Sequence, residues 1–419
     1  MPSSMSPPLK AAAHHTSAIR PAPQSWIGML GPAFVAGSAY VDPGNFATNM
    51  AAGSAFGYQL LWVIVLSSVC AMLVQATAAK LGLATGRDLA RLCRDHLPRR
   101  LRLALWVQAE AVMIATDLAE VVGGALALQL LFGVPLPIGG AITGVTAFAV
   151  LSLETRGQRR FEAVVATMFL VIVAGFCYDL TVAGVSTDGL ASGISPGFAG
   201  PDSLLLATGI VGATVMPHAI YLHPALMAGR RSSGALPARR TWLRGMRTDV
   251  AVALGIAATV NVSMLVIAAQ LFAGKSLDDL TAIHGLLDER TGSATACAFA
   301  LALLASGFAA SSVGTYAGQA VMAGFLRRSV PLLLRRAVTL VPALTLLAVG
   351  VRPTTALVWS QVVLSFGVPF ALVPLVWFTS RRDLMGGFVN RRTTTLALSV
   401  ITALIVALNV LLLWGALTS

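Results

Sequence analysis

The sequence predicts an all-α polytopic membrane protein, and three observations carry that prediction. Hydrophobic residues make up 56% of its 419 positions and charged residues only 11%, against about 25% in water-soluble domains. Apolar runs of roughly 18 or more residues recur from end to end, each long enough to cross a bilayer as a helix. The basic residues fall in alternate connections between those runs. Together these exclude an ordinary soluble enzyme, a disordered chain and a secreted disulfide scaffold. The four cysteines (Cys70, Cys93, Cys177, Cys297) are scattered without a CxxC pair, which gives neither a disulfide framework nor a structural zinc site.

Taken in order, residues 1–26 are rich in proline and carry His14 and His15. They lack the basic start and cleavage pattern of a signal peptide and read as a disordered cytoplasmic tail. Eleven spans follow, at 27–51, 57–83, 103–131, 136–153, 162–182, 205–228, 249–274, 293–324, 330–350, 355–379 and 393–417. The tail and the connections 84–102, 154–162, 229–248, 325–336 and 380–392 hold 25 of the 29 basic residues. By the positive-inside rule these face the cytoplasm, so the N-terminus is inside and an odd span count puts the C-terminus outside. The net charge of +12 is thus a topological signal, and the basic loops suit anionic lipid headgroups better than nucleic acid.

Charge at membrane depth is costly, so ionisable residues there point to function. The first span carries Asp42-Pro43-Gly44-Asn45. Pro43 removes a backbone donor and Gly44 tolerates almost any geometry, so a continuous helix is disfavoured. An interrupted helix frees carbonyls, such as that of Ala39, beside a carboxylate and an amide, a hard-oxygen set that suits a cation. A simple proline kink capped by Asp42 is the bland alternative. The sixth span repeats the device at Met216-Pro217-His218, freeing carbonyls near Ala213. His218 and His223 are about 140° apart on a helix, which argues against a two-histidine zinc site. If the first ten spans form two halves of five, the two breaks correspond, and paired interruptions mark a transporter binding site.

The third span places Glu110, Asp117 and Glu120 within about 80° of arc, one polar stripe. It reads as a proton relay or as a salt-bridged seam, with Arg335 and Arg336 as counter-charges. Gln361 in span ten and Asn409 in span eleven are polar residues of the kind that bond a neighbouring helix. Small residues from Ser306 to Gly318 in span eight allow close helix approach.

The segments DPGNFATN (Asp42–Asn49), ATDLAE (Ala115–Glu120), MPHAIYLH (Met216–His223) and GFAASSVGTYAGQAVMAGF (Gly307–Phe325) resemble the Nramp (natural resistance-associated macrophage protein) family, in particular its bacterial proton-coupled manganese transporters. The resemblance runs over nearly the whole chain after about residue 27. It implies a leucine-transporter-like fold with inverted repeats at 27–182 and 205–379 and an extra span at 393–417, in a bacterial inner membrane. It implies a metal held by Asp42, Asn45 and Met216 with a carbonyl of Ala39 or Ala213, joined in some states by Gln361. His218 matches a histidine near the proton entry, and Asp117, Glu120, Glu110, His223, Arg335 and Arg336 match a polar network carrying protons. The cargo is then Mn²⁺, with Fe²⁺, Cd²⁺ and Co²⁺, and H⁺ moves with it.

The departure from the family pattern is Pro224, where many members have serine. Magnesium-transporting relatives lack the methionine that this chain keeps. A sodium-coupled amino-acid symporter of the same fold would place Asp42 where it repels a substrate carboxylate. An intramembrane zinc protease would need HExxH, and a directly ATP-driven pump GxxxxGK[ST]; neither occurs. A buried multidentate site favours alternating access over a channel. No resident cofactor and no nucleic-acid partner are expected.

The topology is open to a direct test. A reporter fused after Ser419 is expected to report the outside and one inserted near Gly234 the cytoplasm; both on one side would contradict the eleven-span order.

Overall fold

Proline and buried polar residues, rather than loops, divide the first part of the chain. The computed structural model describes residues 32–155, 158–232, 239–275, 277, 279–326 and 332–418. The expected tail, the first residues of spans one and nine, and Gly234 lie outside the described residues. Every helix and turn among them belongs to an α-helical architecture, with no strand.

The first span is two helices, α1 (Pro32–Ala39) and α2 (Pro43–Phe56). At the usual rise they come to about 12 and 21 Å, so neither crosses a ~30 Å bilayer core alone. Next come α3 (Leu61–Thr85), the short α4 (Leu89–His96), α5 (Arg99–Phe132), α6 (Leu136–Thr155), α7 (Gln158–Ala183) and the short α8 (Thr187–Gly193). The sixth span is again split, into α9 (Pro201–Thr214) and α10 (Pro217–Ser232). The rest are α11 (Arg239–Phe272), α12 (Leu280–Thr291), α13 (Ser293–Leu326), α14 (Leu332–Val349), α15 (Pro353–Ser380), the short α16 (Arg382–Met385) and α17 (Arg392–Thr418).

Among the described residues nine segments are long and apolar enough to cross a membrane, with α9 and α10 counted together. They leave out the α1–α2 pair, whose pieces are short, and α14.

Several boundaries differ from those expected. α5 and α11 begin earlier, at Arg99 and Arg239, because a helix runs on through basic turns that a hydropathy window reads as loop. α10 runs through Pro224 to Ser232, past the expected end at 228. The connections 84–102 and 275–292 contain helices the spans did not anticipate. Asp88 caps α4 by accepting from the Arg91 amide at 2.7 Å, and Leu89, Leu92 and Cys93 bury one face. Arg94 then donates to the Gly324 carbonyl at 2.5 Å and so ties α4 to the end of α13.

Burial sorts the helices. The apolar windows of α5 and of the α9–α10 pair are 78% and 83% buried, whereas those of α7 and α17 are 28% and 22% buried. The outer helices are apolar on the faces they expose, as a hydrocarbon environment requires. α17 is fastened to α15 by a buried polar pair: Ser365 Oγ donates to Asn409 Oδ1 (2.8 Å), and Asn409 Nδ2 donates to the Ser365 carbonyl (3.0 Å). α5 and α13 cross at the centre, where a Cβ on Gly307 would stand 2.8 Å from the Gly124 backbone. That approach accounts for the small residues of span eight.

Gly307→Val is therefore expected to lower stability by about 1–3 kcal/mol, the usual cost of overpacking. The check is the apparent melting temperature in detergent, with Gly415→Val as control because nothing lies within 4 Å of a Cβ there. Equal behaviour of the two variants would contradict the crossing.

Candidate metal centre

The two helix breaks meet at Asp42. Pro43 opens α2, and Asp42, in extended backbone at φ −83° and ψ 167°, caps it by accepting from the Asn45 amide at 2.8 Å. In the other break, Val215 leaves the helical region at φ −100° and ψ 55°, and Pro217 starts α10. Interrupting a helix strands carbonyls that must find other donors. Ser306 Oγ donates to the Val41 carbonyl (2.6 Å), Asn261 Nδ2 to the Tyr40 carbonyl (2.9 Å), and Asn45 Nδ2 to the Ala213 carbonyl (3.1 Å). The last of these joins the two breaks.

Asp42, Asn45, Ala213 and Gln361 thus come together. Asn45 Nδ2 also donates to Asp42 Oδ1 (2.7 Å), and Gln361 Nε2 reaches Asp42 Oδ2 at 3.5 Å from α15. Asp42 is 1% exposed, and Asn45, Met216 and Gln361 are fully buried. Gln361 owes its position to two glycines. A Cβ on Gly44 would fall inside its side-chain amide, and one on Gly212 would fall on its backbone carbonyl. Met216 lies in the second break, three residues from Ala213, and Ala39 is the last residue of α1 at the first.

The amide orientations are informative. Asn45 and Gln361 turn their NH₂ groups toward Asp42, which leaves Asn45 Oδ1 and Gln361 Oε1 buried and, among the described residues, without a hydrogen-bond partner. Two amides thereby solvate a carboxylate. The reverse orientation would present two carbonyl oxygens beside that carboxylate, which is what a cation needs. Among the described residues no three His, Cys, Asp or Glu side chains cluster as a conventional metal site. The donors available are one carboxylate, amide and backbone oxygens, and a thioether. Such a set suits Mn²⁺ and Fe²⁺, and its sulfur suits Cd²⁺.

The acidic stripe of α5 divides its partners. Arg335 makes a paired contact with Glu110 (3.0 and 3.4 Å), to which Trp106 Nε1 adds a bond at 3.2 Å. Arg336 donates to Asp117 (3.1 Å) and Thr315 (3.0 Å), and also to Ser311. Glu120 is different. It is 1% exposed, packs against Gly314, and neither oxygen receives a hydrogen bond among the described residues. His218 meets α5 at Thr116, whose Oγ1 lies 3.4 Å from Nδ1, while Nε2 is buried without a partner among the described residues.

His223 takes Gln75 as a partner. Its Nδ1 is 2.9 Å from Gln75 Oε1, and Gln75 Nε2 donates to the Tyr40 hydroxyl at 2.6 Å. Gln75, Tyr40, Thr116 and Asn261 were not singled out in the sequence. Each is a polar residue in or beside an apolar span, the one signal that marks it.

A helical membrane protein in which two interrupted helices meet at a buried carboxylate has the build of a secondary transporter. The chain belongs to the Nramp family: the profile described as natural resistance-associated macrophage protein-like matches residues 33–415. It is 49% identical over 399 residues to a protein of Mycobacterium tuberculosis named divalent metal cation transporter MntH, covering 94% of this chain and 92% of that one. It is 47% identical over 388 residues to the protein of the same name from Deinococcus radiodurans, covering 92% and 89%. Among solved structures, the Eremococcus coleocola manganese transporter superposes with a TM-score of 0.81 at 32% identity, over 96% of this chain and 89% of that one. Mhp1, a nucleobase-cation-symport-1 family transporter, shares the fold alone, with a TM-score of 0.59 at 18% identity over 95% and 94%.

The Arg336–Asp117 pair gives a stability prediction. Both side chains are about 95% buried, at 4% and 5% exposure, so removing one partner leaves a buried charge uncompensated. Arg336→Met is expected to destabilise by roughly 3–5 kcal/mol, and Asp117→Asn in the same chain to restore part of the loss. Thermal unfolding of the single and double variants in detergent measures this; a double variant less stable than either single one would contradict the pairing.

Proposed function

We propose that the chain is a proton-coupled secondary transporter importing Mn²⁺, and also Fe²⁺, Cd²⁺ and Co²⁺, by alternating access. The observation that carries this is the buried Asp42 carboxylate at the junction of the two breaks, surrounded by reorientable amides and a backbone carbonyl. Family membership and relatives named as divalent metal cation and manganese transporters support the same reading, and place the chain among transporters rather than enzymes.

In this mechanism Asp42 supplies most of the charge that offsets a dehydrated dication. Asn45, Gln361 and the carbonyls of Ala39 or Ala213 complete an oxygen shell, and Met216 adds sulfur. His218 takes up the proton near the metal and passes it by way of the Thr116 neighbourhood to Glu120. The pairs Asp117–Arg336 and Glu110–Arg335 then lead it toward the cytoplasm, and His223 acts through Gln75. Eleven spans in two inverted halves, 27–182 and 205–379, with an added span at 393–417, let the two broken helices rock about the site. The N-terminus is cytoplasmic and the C-terminus outside, in a bacterial inner membrane.

Uptake of a panel of divalent ions into proteoliposomes, with internal pH recorded, tests this. Asp42→Ala is expected to abolish metal uptake in inserted protein, and wild-type uptake would remove the site. Glu120→Gln is expected to retain metal binding while changing the pH dependence of transport or uncoupling it from H⁺. Met216→Ala is expected to keep Mn²⁺ uptake on the remaining oxygen ligands, to admit Ca²⁺ or Mg²⁺ as competitors, and to weaken Cd²⁺ competition by at least the roughly tenfold that outer-shell changes alone produce. Unchanged competition would return Met216 to core packing.

A further inference from the structure

Away from the metal centre, on the side where the basic connections lie, a cavity of about 460 Å³ opens between α3, α11 and the start of α17. Its walls carry Lys80, Arg247 and Arg391, the hydroxyl residues Thr393 and Thr394, and an apolar side made by Leu243, Phe388 and Val389. Three separate elements therefore aim one cation each at a single space. No carboxylate lines it among the described residues. The nearby acids are engaged elsewhere or buried: Asp383 accepts from Arg381 at 2.5 and 3.1 Å, and Asp249, two residues beyond Arg247, is 3% exposed.

The cavity is braced. Lys80 donates to Asn390 Oδ1. Asn390 is itself held by two bonds to Thr379 on α15, amide to carbonyl at 3.0 Å and Nδ2 to Oγ1 at 2.8 Å. Beneath it, Leu243 and Phe388 pack on Ala79, Leu83, Met227 and Met246. α17 begins at Arg392, and its first intrahelical bond runs from the Thr395 amide to the Arg391 carbonyl. The amides ahead of Thr395 therefore belong to the open first turn, at the wall where Thr393 and Thr394 stand. Cations, hydroxyls and a helix N-terminus are all donors, and together they select an anion with several acceptor oxygens. The apolar wall fits the glycerol and first methylenes of a lipid rather than water alone.

We infer that this cavity binds a phosphate-bearing anion: the headgroup of an anionic phospholipid of the adjoining leaflet, or free phosphate. Occupancy would tie spans two, seven and eleven together. The inference is independent of the metal site, so metal uptake is not its readout.

The test titrates the full-length protein, purified in uncharged detergent, with phosphatidylglycerol, with phosphatidylcholine and, separately, with inorganic phosphate, and reads bound ligand by native mass spectrometry. Wild type is expected to retain phosphatidylglycerol in preference to phosphatidylcholine. Each charge removed, in Arg247→Gln and Arg391→Gln, is expected to lower that retention about fivefold, the scale of one basic residue at an anionic surface. Arg244→Gln, an exposed cation on α11 outside the cavity, is expected to leave it unchanged. Lys80→Gln extends the series; should loss of the Asn390 bond impair folding, the two arginine variants decide. Retention of lipid that falls with these charges, with phosphate inert, assigns the lipid source. Phosphate binding that falls with the same charges assigns the free anion. Equal phosphatidylglycerol retention by wild type and the Arg247→Gln/Arg391→Gln variant, with no phosphate bound, overturns the inference.

Discussion

Asp42 imposes the constraint that the rest of the core answers. A carboxylate at membrane depth must be neutralised, paired or solvated by protein dipoles. Among the described residues no cationic side chain hydrogen-bonds to it. Its hydrogen bonds come from the Asn45 amide and from the side chains of Asn45 and Gln361. Those donors converge only because two helices are broken and a third approaches closely. Pro43 and Pro217 force the breaks, and Gly44 and Gly212 leave the space that Gln361 enters. The orphan oxygens Asn45 Oδ1 and Gln361 Oε1 are what remains when amides solve the problem alone. In the proposed site a dication would balance the carboxylate, and the two amides, turned over, would offer it these oxygens.

The acidic stripe of α5 follows a different logic. Glu110 and Asp117 have arginine partners from α14, and those pairs hold α14 to the core. Glu120, one turn nearer the site, has no such partner and lies within electrostatic reach of Asp117, Arg336 and Asp42. Glu120 is thus the buried carboxyl of the stripe to which no arginine donates a hydrogen bond among the described residues. Under the proton-coupled transport proposed above, charge at the site and a proton on the stripe would be linked through space, with the Thr116–His218 contact beside them.

Much of this was legible in the chain because the features are local. Asp42-Pro43-Gly44 and Met216-Pro217 announce their breaks through proline chemistry, and the spacing of Glu110, Asp117 and Glu120 fixes their common face. Asn409 was legible as helix-to-helix glue and bonds Ser365 in that role. The partners of His223 were not. Gln75 and Tyr40 are separated from it by 148 and 183 positions, and a lone polar residue in an apolar span does not say which neighbour it meets. The role of Gly44 was legible only in half: backbone freedom is visible in sequence, the Gln361 amide lying against it is not. α4 and α12 escaped because short amphipathic helices in polar connections carry no span-length signal.

We propose that the two breaks close on one metal ion, with Asp42 on one side and Met216 on the other. Cadmium-edge X-ray absorption of the purified, Cd²⁺-loaded protein tests it most directly. A first shell of oxygen atoms with a single sulfur is expected, with loss of that sulfur in Met216→Ala and the oxygen shell kept. An all-oxygen shell in the wild type, or a sulfur that persists in Met216→Ala, would contradict it.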